Sequence, residues 1–207
     1  MPRPQGKRNP DYDEKRVEII DKMVAATLSA PPQRASLREL AACAGISAPT
    51  LRHYFGDREG AVAAILERIG ERGAPYMDFV SAPLDDFESS VRAYVALSHA
   101  GMQHGGFAHA HAVGIVEGAG HPVLGKAYLN LLLEPSLQAL ERRFAAHVAA
   151  GEMRACDLRT AAFHLFSPIL TVMLHQQLLG GDSLRPIDLA AFLDRTAQAF
   201  VQAYRAG

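Results

Sequence analysis

The sequence predicts an all-α chain in which an N-terminal three-helix helix-turn-helix domain is joined to a C-terminal helical domain. Three observations lead there. Residues 36–58, SLRELAACAGISAPTLRHYFGDR, read as two short helices around a tight Ala44-Gly45 turn. From Pro75 onward the apolar residues keep a helical period, and no segment alternates as a strand would. Residues 157–179 are apolar on almost every face, which is the pattern of a helix buried on all sides.

The first helix is expected over 13–29, with Val17, Ile20, Val24 and Leu28 at helical spacing. Ser36 and Glu39 then form a capping box, because hydroxyl and carboxylate can each satisfy an orphan amide of the other residue. Leu37, Leu40 and Ala41 give the following helix one apolar stripe, and Gly45 stands where a left-handed cap ends it. Ser47 caps the next helix. Pro49 sits in its first turn, where a missing N–H costs nothing. Ile46, Leu51 and Phe55 face inward. Asp57 caps a fourth helix carrying Ala61, Ile65 and Ile69 and ending near Gly73-Ala74-Pro75.

In the remainder, Pro83-Leu84-Asp85 opens a helical segment with Phe87, Val91, Tyr94 and Val95, and Gly105-Gly106 breaks the stretch 102–117. His121-Pro122 starts a longer helix, kinked at Pro135 and ended by Gly151. Pro186 begins the last helix. The predicted organisation is a flexible basic arm over 1–12, a helix-turn-helix domain over 13–73 with its motif at 36–55, and a helical body over 74–207.

Two short helices of this kind point to DNA. The second leaves Ala48, Pro49, Thr50, Arg52, His53 and Tyr54 along its outer side and ends, with small residues at its start and longer polar ones that reach phosphates or base edges. The formal net charge of −1 hides an uneven distribution. Residues 1–60 hold ten Lys/Arg against eight Asp/Glu, and the rest holds eleven against fourteen. Arg3, Lys7 and Arg8 precede the first acid, so the arm suits phosphate or minor-groove contact.

These residues resemble the TetR family of transcriptional regulators. The family pattern is met by Ser36, Leu40-Ala41, Ala44-Gly45-Ile46-Ser47, Thr50-Leu51, Tyr54-Phe55 and Arg58-Glu59 in one ungapped run. Arg52 stands where the family usually has Tyr, Pro49 where Gly or Ala is common, and Ala30-Pro31-Pro32 where a Gly-containing turn is usual. A guanidinium at position 52 can bind guanine bidentately where a tyrosine would usually touch phosphate. The expected DNA contacts are Lys7, Arg8, Ser36, Arg38, Ser47, Ala48, Pro49, Thr50, Arg52, His53, Tyr54 and Arg58. Thr50, Tyr54 and Arg58 grip phosphates in this reading, and Arg38, Arg52 and His53 read bases.

The resemblance further implies a homodimer, a double-stranded DNA operator and a small-molecule effector bound in the helical body. Its fourth helix would connect reading head to sensing body. Met77, Tyr94, His99, Met102, Phe107, His111, Phe166 and Met173 are candidate pocket residues, and the scarcity of charge between 93 and 116 favours a hydrophobic or weakly polar ligand. The final helices would pair with their mates through Phe163, Phe166, Leu170, Leu174, Leu189, Leu193, Phe200 and Tyr204. The chain's end leaves too little of itself to cover the apolar segment 157–179, which also calls for a second subunit.

Other classes fit less well. Gly45-Ile46-Ser47-Ala48-Pro49 lacks the last glycine of a nucleophile elbow, and no phosphate loop or dinucleotide fingerprint occurs, so no enzyme and no cofactor is expected. Five histidines, His99, His104, His109, His111 and His121, crowd into one region, but without HExxH or a Cys partner no metal site is expected. Cys43 and Cys156 lack zinc spacing, and Cys43 reads as a small buried hydrophobe. No apolar run approaches a membrane span and the N-terminus lacks a signal-peptide core, so a cytoplasmic protein without a membrane partner is expected. The alternative, a helical scaffold that binds only proteins, leaves the motif and the arm unexplained.

Overall fold

The first helix, α1, spans Pro10–Ser29, three residues longer at its start than the apolar spacing predicts. Pro10 can open a helix because its missing N–H is one of the orphans there, and Asp11 and Asp13 lie favourably in the positive first turn. Its buried face is Ile19, Ile20, Met23 and Val24, while Val17 is exposed. The true face therefore lies about a quarter turn from Val17, at 100° per residue. The structure, a computed structural model, describes the backbone of residues 10–104 and 106–207 and the side chains of 11–101 and 106–207.

Helix α2 (Leu37–Cys43) starts with the capping box the sequence predicts: the Ser36 amide donates to Glu39 Oε2 at 2.7 Å and the Glu39 amide to Ser36 Oγ at 3.3 Å. The same Ser36 amide holds the Glu39 carboxyl below the ordinary carboxylate range. Gly45 ends the helix at φ 69, with its N–H on the Ala42 carbonyl and that of Ile46 on the Ala41 carbonyl, both 3.0 Å. That pair of bonds is a Schellman ending, and the positive φ is why a glycine stands there. Helix α3 (Ala48–Phe55) follows, capped by Ser47 Oγ, and buries Leu51 completely.

Helix α4 runs Arg58–Ser81, straight past Gly73-Ala74-Pro75, where the sequence suggests an end. Proline removes one donor without forbidding the helix, and the far end is held by a buried arginine instead. Arg143 gives Nε to the Val80 carbonyl (2.6 Å), Nη2 to that of Phe79 (2.7 Å) and Nη1 to Ser90 O and Oγ (2.7 and 2.8 Å). It satisfies last-turn carbonyls that have no partner within α4. Midway along α4, Arg68 forks onto Asp21 of α1 at 2.7 and 3.2 Å, and Arg72 adds a bond of 2.9 Å.

Beyond it lie α5 (Phe87–His104), α6 (Phe107–Gly118) and α7 (Pro122–Tyr128). Gly106, at φ 67, marks the break between α5 and α6. The kink expected at Pro135 is a π-helical turn, Leu129–Leu133, leading into α8 (Glu134–Ala149). Pro135 withholds the N–H that an α-turn would send to the Leu131 carbonyl, and the wider turn accommodates this. Helix α9 (Leu158–Met173) ends in a second π-helical turn, Leu174–Leu178. A short α10 (Gly181–Leu184) follows, then α11 (Leu189–Tyr204), which starts at the Asp188 cap and not at Pro186.

Two apolar cores result. One joins α1–α4 to Ala110, Val113, Leu124, Tyr128 and Leu132 of the body. The other packs α5, α8, α9 and α11 around Leu140, Phe144, Leu165, Ile169 and Phe200, with the Phe144 and Phe200 rings stacked at 5.2 Å. Among the described residues no helix is long and apolar enough to cross a membrane.

Candidate nucleic-acid interface and effector cavity

Helix α3 presents Pro49, Thr50, Arg52 and His53 to solvent, and Arg38 of α2 and the two caps Ser36 and Ser47 are exposed as well. Ser47 Oγ accepts from the Thr50 amide at 3.2 Å and pairs with its hydroxyl at 2.8 Å, so the first turn of α3 is pre-set. Ala48 and Tyr54 are half-buried against the first core. Tyr54 stacks on Tyr12 of α1 at 4.7 Å and meets His53 edge-on at 5.4 Å, with Tyr12 and His53 in turn 5.8 Å apart. Tyr12 is a residue the sequence reading missed. Nothing in its spacing shows that the first turn of α1 lands on the reading helix.

Arg58 is placed differently from the expectation. It is expected to grip phosphate, but its side chain is 18% exposed and turned inward. Nε donates to the Ala35 carbonyl at 2.7 Å, Nη2 reaches both oxygens of Glu117 at 2.7 and 2.8 Å, and Nη1 is buried without a partner among the described residues. A guanidinium next to a buried carboxylate is held there by its charge. Lys7 and Arg8 lie outside the described residues. Cys43 is exposed and not a core hydrophobe, because α2 turns Leu40 and Ala41 inward and leaves position 43 on the solvent side.

A cavity of about 990 Å³ opens between the second half of α4, α5, the start of α6 and the π-turn leading into α8. Of the eight expected pocket residues, Met77, Tyr94, Phe107 and His111 line it. Met173 does not: it is fully buried in the second core. Phe166 stands behind the wall, edge-on to Phe107 at 6.3 Å and to His111 at 5.4 Å. His99 is not part of the lining, and the side chain of Met102 lies outside the described residues. The π-turn residues Asn130 and Leu131, with Pro135 and Ser136, complete a wall that helical periodicity could not place.

The cavity's polar groups are mostly neutral. His111 is 1% exposed, its Nδ1 lies 2.9 Å from the Tyr128 hydroxyl, and burial pushes its pKa down to about 4. Burial pushes Tyr94 and Tyr128 up to about 12. The charged lining residues Glu67, Glu71 and Arg72 all belong to α4, and Glu71 and Arg72 are paired, with Arg68 and Asp21 respectively. The histidine cluster is dispersed: His121 caps α7 through Nδ1, and His111 serves Tyr128. Among the described residues no group of His, Cys, Asp and Glu is placed to hold a metal.

The final helices divide the expected dimer residues. Phe163 is 37% exposed, and Leu170, Leu174 and Leu189 are half-buried. Phe166, Leu193, Phe200 and Tyr204 lie in the chain's own core, so their side chains are already spent on intrachain packing. The segment 157–179 is thus buried on one side and carries an open strip along Phe163, Ser167 and Thr171.

Residues 91–206 match the family described as AefR-like transcriptional repressor, C-terminal domain. The chain belongs to the TetR family of transcriptional regulators. As a TetR-family chain it is a ligand-responsive DNA-binding repressor and not an enzyme. No match is found among curated protein sequences. Among solved structures it is similar to a TetR-family regulator from Mesorhizobium loti (21% identity, TM-score 0.73, covering 96% of this chain and 100% of that one). It is also similar to SmeT, the repressor of the Stenotrophomonas maltophilia efflux pump SmeDEF (19%, 0.64, 94% and 92%). The complex of SmeT with triclosan is a further match (19%, 0.65, 93% and 92%). At these identities the likeness concerns the TetR fold.

Proposed function

We propose that this regulator is a homodimeric repressor that reads a pseudo-palindromic operator through α3 and leaves it when a hydrophobic or weakly polar molecule fills the cavity. The observation that carries the reading is that α4 is both the first element after the reading helix and the longest wall of the cavity. Its apolar residues from Ala61 to Ile69 pack into the first core and its residues 67–80 face the void. A ligand that favours one position of α4 therefore favours one spacing of two reading heads, which must lie about one DNA turn, ~34 Å, apart. The division into a reading head over 13–73 and a sensing body over 74–207 belongs to the same reading, as does work in the cytoplasm beside DNA.

Arg52, His53 and Arg38 are proposed to read bases, and Thr50 and Tyr54 to hold phosphates, with Lys7 and Arg8 reaching along the duplex. The effector class rests on the neutral His111, the hydroxyls of Tyr94 and Ser136 and the apolar side chains between them, with the charged lining residues confined to α4. The test is a mobility shift of the purified protein on DNA selected from random duplexes, with competitor DNA and across a salt series. A discrete shift at two chains per duplex, weakened by triclosan at fixed salt, supports the reading. A shift untouched by triclosan and by a panel of neutral aromatic compounds that bind the protein refutes the coupling, and salt-erased smearing refutes the operator.

A further inference from the structure

The helix-turn-helix motif enters after Ala35 and leaves just before Arg58, and both ends are held at one buried point. The Ala35 carbonyl accepts from Arg58 Nε at 2.7 Å, and Arg58 Nη2 lies 2.7 and 2.8 Å from the two oxygens of Glu117, which is 3% exposed. Arg34 adds its guanidinium 3.8 Å from the same carboxylate. Glu117 belongs to neither the motif nor α4. It sits in the last turn of α6, whose first turns place Phe107, Ala110 and His111 on the cavity.

We propose that Arg58 and Glu117 form a clasp that makes the end of α6 part of the reading head. In this arrangement Arg58 is a positioning residue for α2 and α3, not a phosphate ligand. Two of its three guanidinium nitrogens are engaged and the third is buried, so none is offered to a duplex. The fork is specific to arginine, because one planar group must bridge a carbonyl and a carboxylate, which an ammonium cannot do with the same geometry. Phe107 and Glu117 are roughly 15 Å apart along α6 at 1.5 Å per residue. The helix between them is braced by Gly114 against the Tyr128 ring, and just past Glu117 by Gly118 against Gly125. A shift of α6 at the cavity is thereby delivered to both ends of the motif, a second route beside α4. This last step rests on the cavity being the effector site, whereas the clasp itself does not.

The experiment compares operator affinity and its salt dependence for wild type, Arg58→Lys, Arg58→Gln, Glu117→Gln and the double variant Arg58→Lys/Glu117→Gln, each with its thermal midpoint and dimer mass. A clasp predicts that Arg58→Lys and Glu117→Gln each weaken operator binding about tenfold, within the roughly 2- to 30-fold by which substitutions along a coupling network change it. The salt slope stays at the wild-type value, and the double variant is no weaker than the weaker single one. The proposal is overturned if Arg58→Lys binds like wild type while Arg58→Gln lowers the slope by about one, which is the signature of a phosphate contact. It is equally overturned if Glu117→Gln folds and leaves affinity unchanged. Should Glu117→Gln not fold, the two Arg58 variants decide. Nile red binding, which needs only the cavity, is measured alongside: its absence in wild type would count against the effector site and leave the clasp result standing.

Discussion

Arg52 stands exposed in the last turn of α3, one turn from the pre-set Ser47–Thr50 start, and its guanidinium makes no ion pair among the described residues. A side chain so placed is free to fork onto the acceptor edge of a guanine. Arg52→Ala is expected to lower discrimination at a single base pair by about 1–3 kcal/mol while leaving the salt slope nearly unchanged, as read from binding to single-base operator variants. His111 gives a second expectation. Its pKa falls from the ordinary 6.5 to about 4 through burial, so the unfolded chain takes up a proton that the folded chain refuses. Stability contributed by the neutral ring is complete above pH 6.5 and is lost as pH falls toward 4, by about 3 kcal/mol in all. Urea denaturation over that interval should show a shallower acid limb in His111→Gln than in wild type. Arg58 shows where reading residues singly reaches its limit. Its motif position is legible, but its partner lies 59 residues away, and no local pattern reveals a contact at that range.

At the scale of elements the caps were the legible part. Ser36, Ser47, Asp57 and the His121-Pro122 pair all start helices where short-range chemistry places them, because a cap is satisfied within three residues. The end of α4 was not legible, since it depends on Arg143, a charged residue between Leu140 and Phe144 on an otherwise apolar stripe. The pocket wall was half legible for a related reason: periodicity gives a face, and only packing decides whether a face meets core or void. The α6–α7 pair offers a test of packing. A Cβ on Gly114 would lie 2.0 Å from the Tyr128 ring, whereas one on Gly73 of α4 meets nothing within 4 Å. Gly114→Ala should therefore cost about 1–3 kcal/mol and loosen the Tyr128–His111 hydrogen bond. Gly73→Ala should add about 0.5–1 kcal/mol of helix propensity. Chemical denaturation of the two variants side by side separates a steric contact from a propensity effect.

For the whole molecule, the question is what meets the strip along α9. Apolar periodicity could not separate residues that face the chain's own core from those that face a partner, which is why Phe166, Leu193, Phe200 and Tyr204 read as interface and prove to be interior. What remains outside is Phe163, Ser167 and Thr171 on α9, with a shallow apolar hollow formed by Pro168, Val172, Ile187 and Phe192 beside them. Leu179 and Leu184 are also exposed nearby in sequence, and large apolar side chains left in water are a cost that a second copy would remove. Thr171 lies at the hollow's edge and makes no side-chain hydrogen bond among the described residues, so a long charged group there should leave the monomer intact while desolvating badly in a dimer. Thr171→Arg is expected to halve the mass seen by light scattering and to keep the far-UV spectrum of a helical chain. Because one reading head reaches only one half-site, operator affinity should fall by orders of magnitude, with binding reduced to the salt-sensitive, sequence-independent component. A Thr171→Arg protein that stays dimeric and binds operator normally would place the interface elsewhere than the α9 strip.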